Sequence, residues 1–356
     1  MSFLSDRTLR GILGMSIVLL GTLLSACGGG GGGGGTPVNN PPPPKFTALT
    51  PVLTSGRAMH TATLLSDGKV LITGGFSAAT VPAPALNTAE LYDPAANTFT
   101  ALTNRIQSAR TSHAATRLAD GRVLLTGGQT NNDGDGTNTA ELFDPANQTF
   151  TSVTAVMTSP RGGHASVLLG DGRVLVMGGF NNSCTSLNTA EVFDPTNQSF
   201  TALTSMMAAG RSELEATALA NGMILLTGGG SCDNTFDTAE LFDPTNQSFT
   251  AISATMTALR GGHGSGLLAN GSVLVSGGGT DGSNPPSTLV VLNTDTAELF
   301  DPSTQRFSAM SDRMTAPRGW HTQTTLSSGS VLMTGGLNFN SSGSLVILDS
   351  AETFTP

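Results

Sequence analysis

Charge is scarce in this chain: Asp, Glu, Lys and Arg together make up 12% of its 356 residues, and no run of basic residues occurs anywhere. With a formal net charge of −9 the chain lacks the clustered Lys and Arg that neutralise phosphates, which argues against a nucleic-acid partner. Trp and Tyr occur once each, and the Cys count of three is odd, so at least one thiol is free, modified or paired with another chain. No nucleophile elbow, zinc-protease motif or phosphate loop is present. In their place Gly, Thr, Asn and Ser abound, a composition suited to short strands joined by tight turns and poor for amphipathic helices. An all-β fold is expected.

The N-terminal stretch differs from the rest. Arg7 and Arg10 precede an apolar run from Gly11 to Leu24, too short to span a bilayer comfortably but of the length of a signal-peptide core. The run ends in Leu24-Ser25-Ala26-Cys27. These four residues resemble the lipobox of bacterial lipoproteins, and the resemblance implies a signal peptide over 1–26 and lipidation of Cys27. Acyl chains at about 0.8 kcal/mol per buried methylene would then hold the protein on a membrane. An unbroken glycine run from Gly28 to Gly35 and a proline run from Pro41 to Pro44 cannot bury a core, so residues 27–45 read as the lipidated cysteine and a tether. By the same resemblance, Gly28 is not the Asp that commonly signals inner-membrane retention, so an outer-membrane envelope protein is expected.

From Phe46 to Pro356 one pattern recurs: Arg, usually His three residues later, a Gly-Gly pair, then Thr-Ala-Glu-Leu-Phe-Asp-Pro and Phe. Arg57, Arg110, Arg161, Arg211, Arg260 and Arg318 are 53, 51, 50, 49 and 58 residues apart. The second glycine lies 18 residues after its Arg in all six copies. Length varies only between the Gly-Gly pair and the next Thr-Ala-Glu or Ser-Ala-Glu, in gaps of 12, 10, 9, 8, 17 and 13 residues. Within one copy, Thr61–Leu65 and Lys69–Thr73 read as strands around the turn Asp67-Gly68, and Thr88–Tyr92 and Thr98–Leu102 as two more around Asp93-Pro94.

A period near 50 and these motifs resemble the kelch repeat family, in which four strands make one blade of a β-propeller. Phe stands at 99, 150, 200, 249 and 307, where the family usually has Trp. The last copy stops after its third strand, Ser350-Ala-Glu-Thr-Phe, while Phe46-Thr-Ala-Leu49 is a fourth strand with no third. Joining them completes a sixth blade and removes two exposed edges, so residues 46–356 are expected to form one six-bladed ring, monomeric and without cofactor.

The repeated residues read as structure. His60, His113, His164, His263 and His321 stand once per copy, spread around an axis rather than converging on a metal. Six Arg match six Glu, at 90, 141, 191, 240, 298 and 352, as one ion pair per blade, with the alternative that some Arg face the central channel. Asp133, Asp135 and Thr137 have the alternate spacing of a calcium loop but lack its later Glu, and read as a polar turn. Variable loops on a rigid scaffold are where binding resides, so a binding module for a protein or carbohydrate ligand is expected on the loop face. The alternative is a periplasmic carbohydrate-modifying enzyme similar to sialic acid mutarotase, a kelch relative. A copper oxidase similar to galactose oxidase is disfavoured because Tyr92 is the single tyrosine.

Two departures from symmetry are candidate special sites. Cys184 and Cys232 fall in the variable loops of adjacent copies, and in an oxidising compartment are expected to form a disulfide. The fourth copy reads Arg211-Ser-Glu-Leu-Glu215 where others have Arg-x-x-His, and strand alternation would put Glu213 and Glu215 on one face near Arg211 as a ligand site.

Overall fold

The computed structural model describes residues 43–77, 84–130, 136–183, 185–231, 234–281, 291–339 and 344–356. The signal peptide and tether up to residue 42, Asp133 and Asp135 of the polar turn, and Cys27, Cys184 and Cys232 lie outside the described residues.

Six four-stranded antiparallel sheets, each in simple up-and-down order, form the blades, and no helix occurs among the described residues. The second strand of each blade is the most apolar, for example Val70–Thr73 and Val174–Met177, and is buried at all four positions. Both faces of each sheet are covered by neighbouring blades, so these strands do not alternate with polar residues as half-exposed ones do. The first strands, such as Thr61–Leu64 and Ala114–Arg117, carry small and hydroxylated side chains and pack against one another around the axis, the last against the first.

Turn chemistry fixes strand length. Gly68 takes φ +85° between the first two strands of its blade, and the Asp67 carboxylate accepts the Lys69 N–H at 3.1 Å. Between the third and fourth strands the Asp93 carboxylate accepts Ala95 N–H at 2.9 Å, while Asn97 takes φ +51°. Gly74 and Gly75 both have positive φ, and Gly75 N–H donates to the Arg110 carbonyl of the next blade at 2.8 Å. A Cβ on Gly74 would collide with that same carbonyl, so the glycine pair permits the close approach of blades.

The ring closes by joining the two ends of the chain. Lys45–Ala48 pairs antiparallel with Ala351–Thr355, which pairs in turn with Val331–Thr334. Phe46 stacks on Phe354 with ring centroids 4.9 Å apart, repeating the Phe143–Phe150 pair of an uninterrupted blade at 4.8 Å. Gly336 N–H reaches the Arg57 carbonyl at 2.8 Å, so the inter-blade bond also spans the closure. The closing strand starts at Lys45, one residue before the expected Phe46. The two longest variable loops add short hairpins of their own, Gly279–Asp281 with Val291–Asn293 and Leu337–Phe339 with Leu345–Ile347.

Candidate functional site

The six arginines are girders, not channel ligands. Each is almost fully buried and pairs with the Glu of its own blade at 2.7–3.0 Å. Its Nη1 also donates to the carbonyl of the first glycine of the pair, at 2.7–2.9 Å. The second Glu oxygen accepts a backbone N–H three residues before the Arg, as from Thr54 to Glu90 at 2.8 Å. Both charges are thus compensated and hydrogen-bonded, which is the condition for keeping an ion pair away from water.

Each histidine stitches its blade to the preceding one. Nε2 meets the hydroxyl of the last second-strand residue there: His113 with Thr73 at 3.0 Å, His164 with Thr126 at 2.9 Å, His263 with Thr227 at 2.8 Å, His60 with Thr334 at 3.1 Å and His321 with Ser276 at 3.5 Å. Burial first, and then the neighbouring Arg, hold His113, His164, His263 and His321 down at about 3, and His60 well below its ordinary value. All five are neutral at ordinary pH.

The fourth blade keeps this rule by changing both partners. Leu214 stands in the His position, and across the interface Met177 stands in the Thr position; both are buried in one apolar cluster. The signal was in the sequence, in the residue before each Gly-Gly pair: Thr73, Thr126, Met177, Thr227, Ser276 and Thr334. An imidazole placed alone against Met177 lacks its hydroxyl, and a threonine placed alone against Leu214 lacks its imidazole. Leu214→His and Met177→Thr should therefore each destabilise the fold by roughly 1–3 kcal/mol, while the double variant recovers most of the loss. Urea unfolding of the four proteins gives the coupling, and additive losses would show that the two positions are independent.

Two residues past each Arg the backbone turns into the left-handed region. Met59, Ser112, Gly163, Glu213, Gly262 and Trp320 have φ between +51° and +59°. Each donates its N–H to the carbonyl of its counterpart in the preceding blade, at 2.7–3.0 Å, and Met59 donates to Trp320 to shut the circle. Six residues, one per blade, thus form a closed backbone ring about the axis. Four are not glycine, at a cost of roughly 1–2 kcal/mol each, and the ring's hydrogen bonds offset that strain.

The ring residues and the histidines line an axial cavity of about 90 Å³, which Glu215 also lines. Of the residues predicted to form a ligand site, Glu213 and Glu215 come together here and Arg211 does not: its guanidinium is held by Glu240 at 2.8 Å. Strand alternation is not what unites the two acids, because the strand begins at Glu215 and Glu213 belongs to the ring. Both are half-buried. Desolvation pushes Glu213 up to about 7, slightly offset by the Trp320 indole N–H nearby. Desolvation and then the Glu213 charge push Glu215 up to about 8. Trp320 was not singled out from sequence; only folding carries it to the axis. Among the described residues no group of three or more His, Cys, Asp or Glu could hold a metal ion.

The variable loops leave from the same side. Bridges join Ala58 to Phe76 and Phe76 to Ala85, so the loop stem of the first blade is fastened to the segment between Arg57 and the ring. The equivalent bridges recur in the next three blades, for instance Gly162 to Phe180 and Phe180 to Ser186.

A closed ring of six four-stranded blades with a glycine pair, a buried Arg–Glu pair and an aromatic pair in each defines a kelch-type β-propeller. The chain matches the KLHDC2/KLHL20/DRC7 Kelch-repeats domain over residues 112–336, and it belongs to the kelch-repeat family. A comparison with curated proteins finds no match. A kelch propeller suggests a protein-interaction module.

Proposed function

We propose that this is a lipid-anchored protein of the bacterial cell envelope whose propeller binds a protein or carbohydrate ligand through its variable-loop face. The observation that carries this reading is the confinement of length variation. Every gap between repeats that changes, from 8 to 17 residues, lies in the second-to-third-strand loops on one face. The spacing from each Arg to its glycine pair, which sets the blade, never changes. Rigid blades with free loops are the arrangement in which binding surfaces are built. The lipobox-like Leu24-Ser25-Ala26-Cys27 and the Gly and Pro tether support presentation of that face at a membrane surface.

The test pairs localisation with binding. In envelope fractions, Cys27→Ala should move the protein from the membrane to the soluble fraction; retention would overturn the anchor. On a glycan array and against envelope proteins, the parent chain should bind a defined ligand. A variant with residues 279–295 shortened to the length of the fourth-blade loop should lose at least tenfold in affinity with an unchanged urea midpoint. Undiminished binding by that variant, or faster sugar anomer exchange by NMR with no stable complex, would overturn the binding reading.

A further inference from the structure

Glu213 and Glu215 pose a physical problem that the propeller itself does not solve. The other five blades place Met59, Ser112, Gly163, Gly262 and Trp320 in the ring, and Thr61, Ala114, Ala165, Gly264 and Thr322 at the position of Glu215. None of these is acidic, so the ring needs no carboxylate to close. No cation accompanies the pair: Arg211 is committed to Glu240, and no positive group contributes to the electrostatics of either acid. Two half-buried carboxyls facing one axial cavity without a counter-charge are costly when ionised.

The remaining wall narrows what could supply that charge. His60, His113, His164, His263 and His321 line the same cavity, each more than nine-tenths buried, and Nδ1 of His60 and of His113 has no hydrogen-bond partner, while His164, His263 and His321 are each hydrogen-bonded to the backbone of the Arg three residues earlier. Where Nε2–H donates to the neighbouring hydroxyl, Nδ1 of His60 and of His113 offers a lone pair. Trp320 adds an aromatic indole whose N–H lies beside Glu213. The cavity, at about 90 Å³, admits a few heavy atoms. A metal ion does not suit it, since the histidine Nε2 atoms face hydroxyls of the preceding blades. A primary ammonium does: it carries three donors and no acceptor, and aromatic rings attract it.

We propose that the axial cavity binds a primary ammonium group, seated between Glu213 and Glu215 beside the Trp320 indole and carried either by a lysine side chain of a partner or by a small free amine. The inference deepens the loop-face reading and rests on it only for the side from which the ligand enters.

The pH dependence follows from the two carboxyls. Below pH 6 both acids are protonated and the ammonium has no counter-charge. As pH rises through about 7 and about 8 they ionise, so affinity rises and binding near neutral pH releases protons. The five histidines facing the cavity stay neutral over this range. Above about pH 10 the amine itself deprotonates and binding falls again.

Trp320 is the only tryptophan of the chain, so its fluorescence reports this cavity directly. Titrating the full chain with n-butylamine at pH 8.5 should give a saturable change in emission, with the apparent affinity at least tenfold weaker at pH 6. A lysine-containing tripeptide binding more tightly than butylamine would assign the site to a partner's side chain, and the reverse to a free amine. Glu215→Gln should weaken binding at least tenfold, and Glu213→Gln with Glu215→Gln should abolish it, neither with a lowered urea midpoint. An equal response to n-butanol, a response independent of pH, or undiminished binding by a folded double variant would overturn the assignment. Because butylamine needs no loop contacts, the loop-shortened protein should still bind it, which separates failure of this site from failure of the loop-face reading.

Discussion

Acidification from pH 6.5 to pH 4 should unfold this propeller, the histidines taking up as many as five protons as it does. The sign follows from the histidines. Their folded values lie near 3 for His113, His164, His263 and His321, and well below the ordinary value for His60. In the unfolded chain they titrate near 6.5. Between those limits the unfolded state binds more protons, so stability falls as pH falls. A single pKa unit at each of five sites would amount to roughly 7 kcal/mol, comparable with the whole stability of a typical domain. The axial acids act in the opposite sense. Raised to about 7 and about 8, Glu213 and Glu215 make the folded state the better proton binder between their unfolded values and those limits, so they favour folding as pH falls through this range. Two acids oppose five histidines, and the stability maximum should lie between about pH 6 and 7. Urea midpoints measured from pH 4 to 9 check this. Replacing His263 by Leu together with Thr227 by Met, the solution the chain itself uses at Leu214 and Met177, should reduce the proton uptake by about one. An unchanged midpoint from pH 7 down to 4 would show that the histidines are not what acid attacks.

Removal of the closing strand should have the second large effect. Deleting residues 43–49 takes away the partner of Ala351–Thr355 and uncovers Phe354, which Phe46 covers at a centroid distance of 4.9 Å. It also removes the Leu49 N–H bond to the Ala351 carbonyl, the first of the contacts that bring the chain to Arg57. An unpaired, apolar strand edge is a template for pairing with another chain, so the shortened protein should aggregate on expression. Phe46→Ala tests the same closure without removing backbone. A buried aromatic lost from a core costs about 3–5 kcal/mol, and the urea midpoint should drop accordingly while the protein stays monomeric in sedimentation. A soluble deletion variant with an unchanged midpoint would show that the ring holds without its velcro strand.

Much of this architecture was legible because it repeats. Six copies of one spacing constrain the reading far more than a single motif does, since a residue that recurs at a fixed offset must meet the same neighbours in every blade. The glycine pair, the turn at Asp67-Gly68, the Arg–Glu match and the split sixth blade could all be read this way. Each strand boundary in the first blade falls within one residue of its expected place. The partner of each histidine is less legible, because it lies on the preceding blade, 36 to 45 residues earlier in the second, third, fifth and sixth copies and across the closure in the first. Leu214 departs from the repeat in company with Met177, its neighbour across the interface.

The sequence by itself determined blade number, strand order, the single variable face and the junction of the two termini, because each depends on local strand and turn chemistry multiplied by an invariant period. Tertiary structure alone decided which side chains reach the axis. Residues such as Met59, Glu213 and Trp320 are far apart in sequence and unlike in chemistry, yet the left-handed turn two residues after each Arg delivers all of them to one backbone ring. It also decided that Arg211 stands apart from Glu213 and Glu215, since only the fold shows the guanidinium drawn inward to Glu240 while the two acids face the cavity.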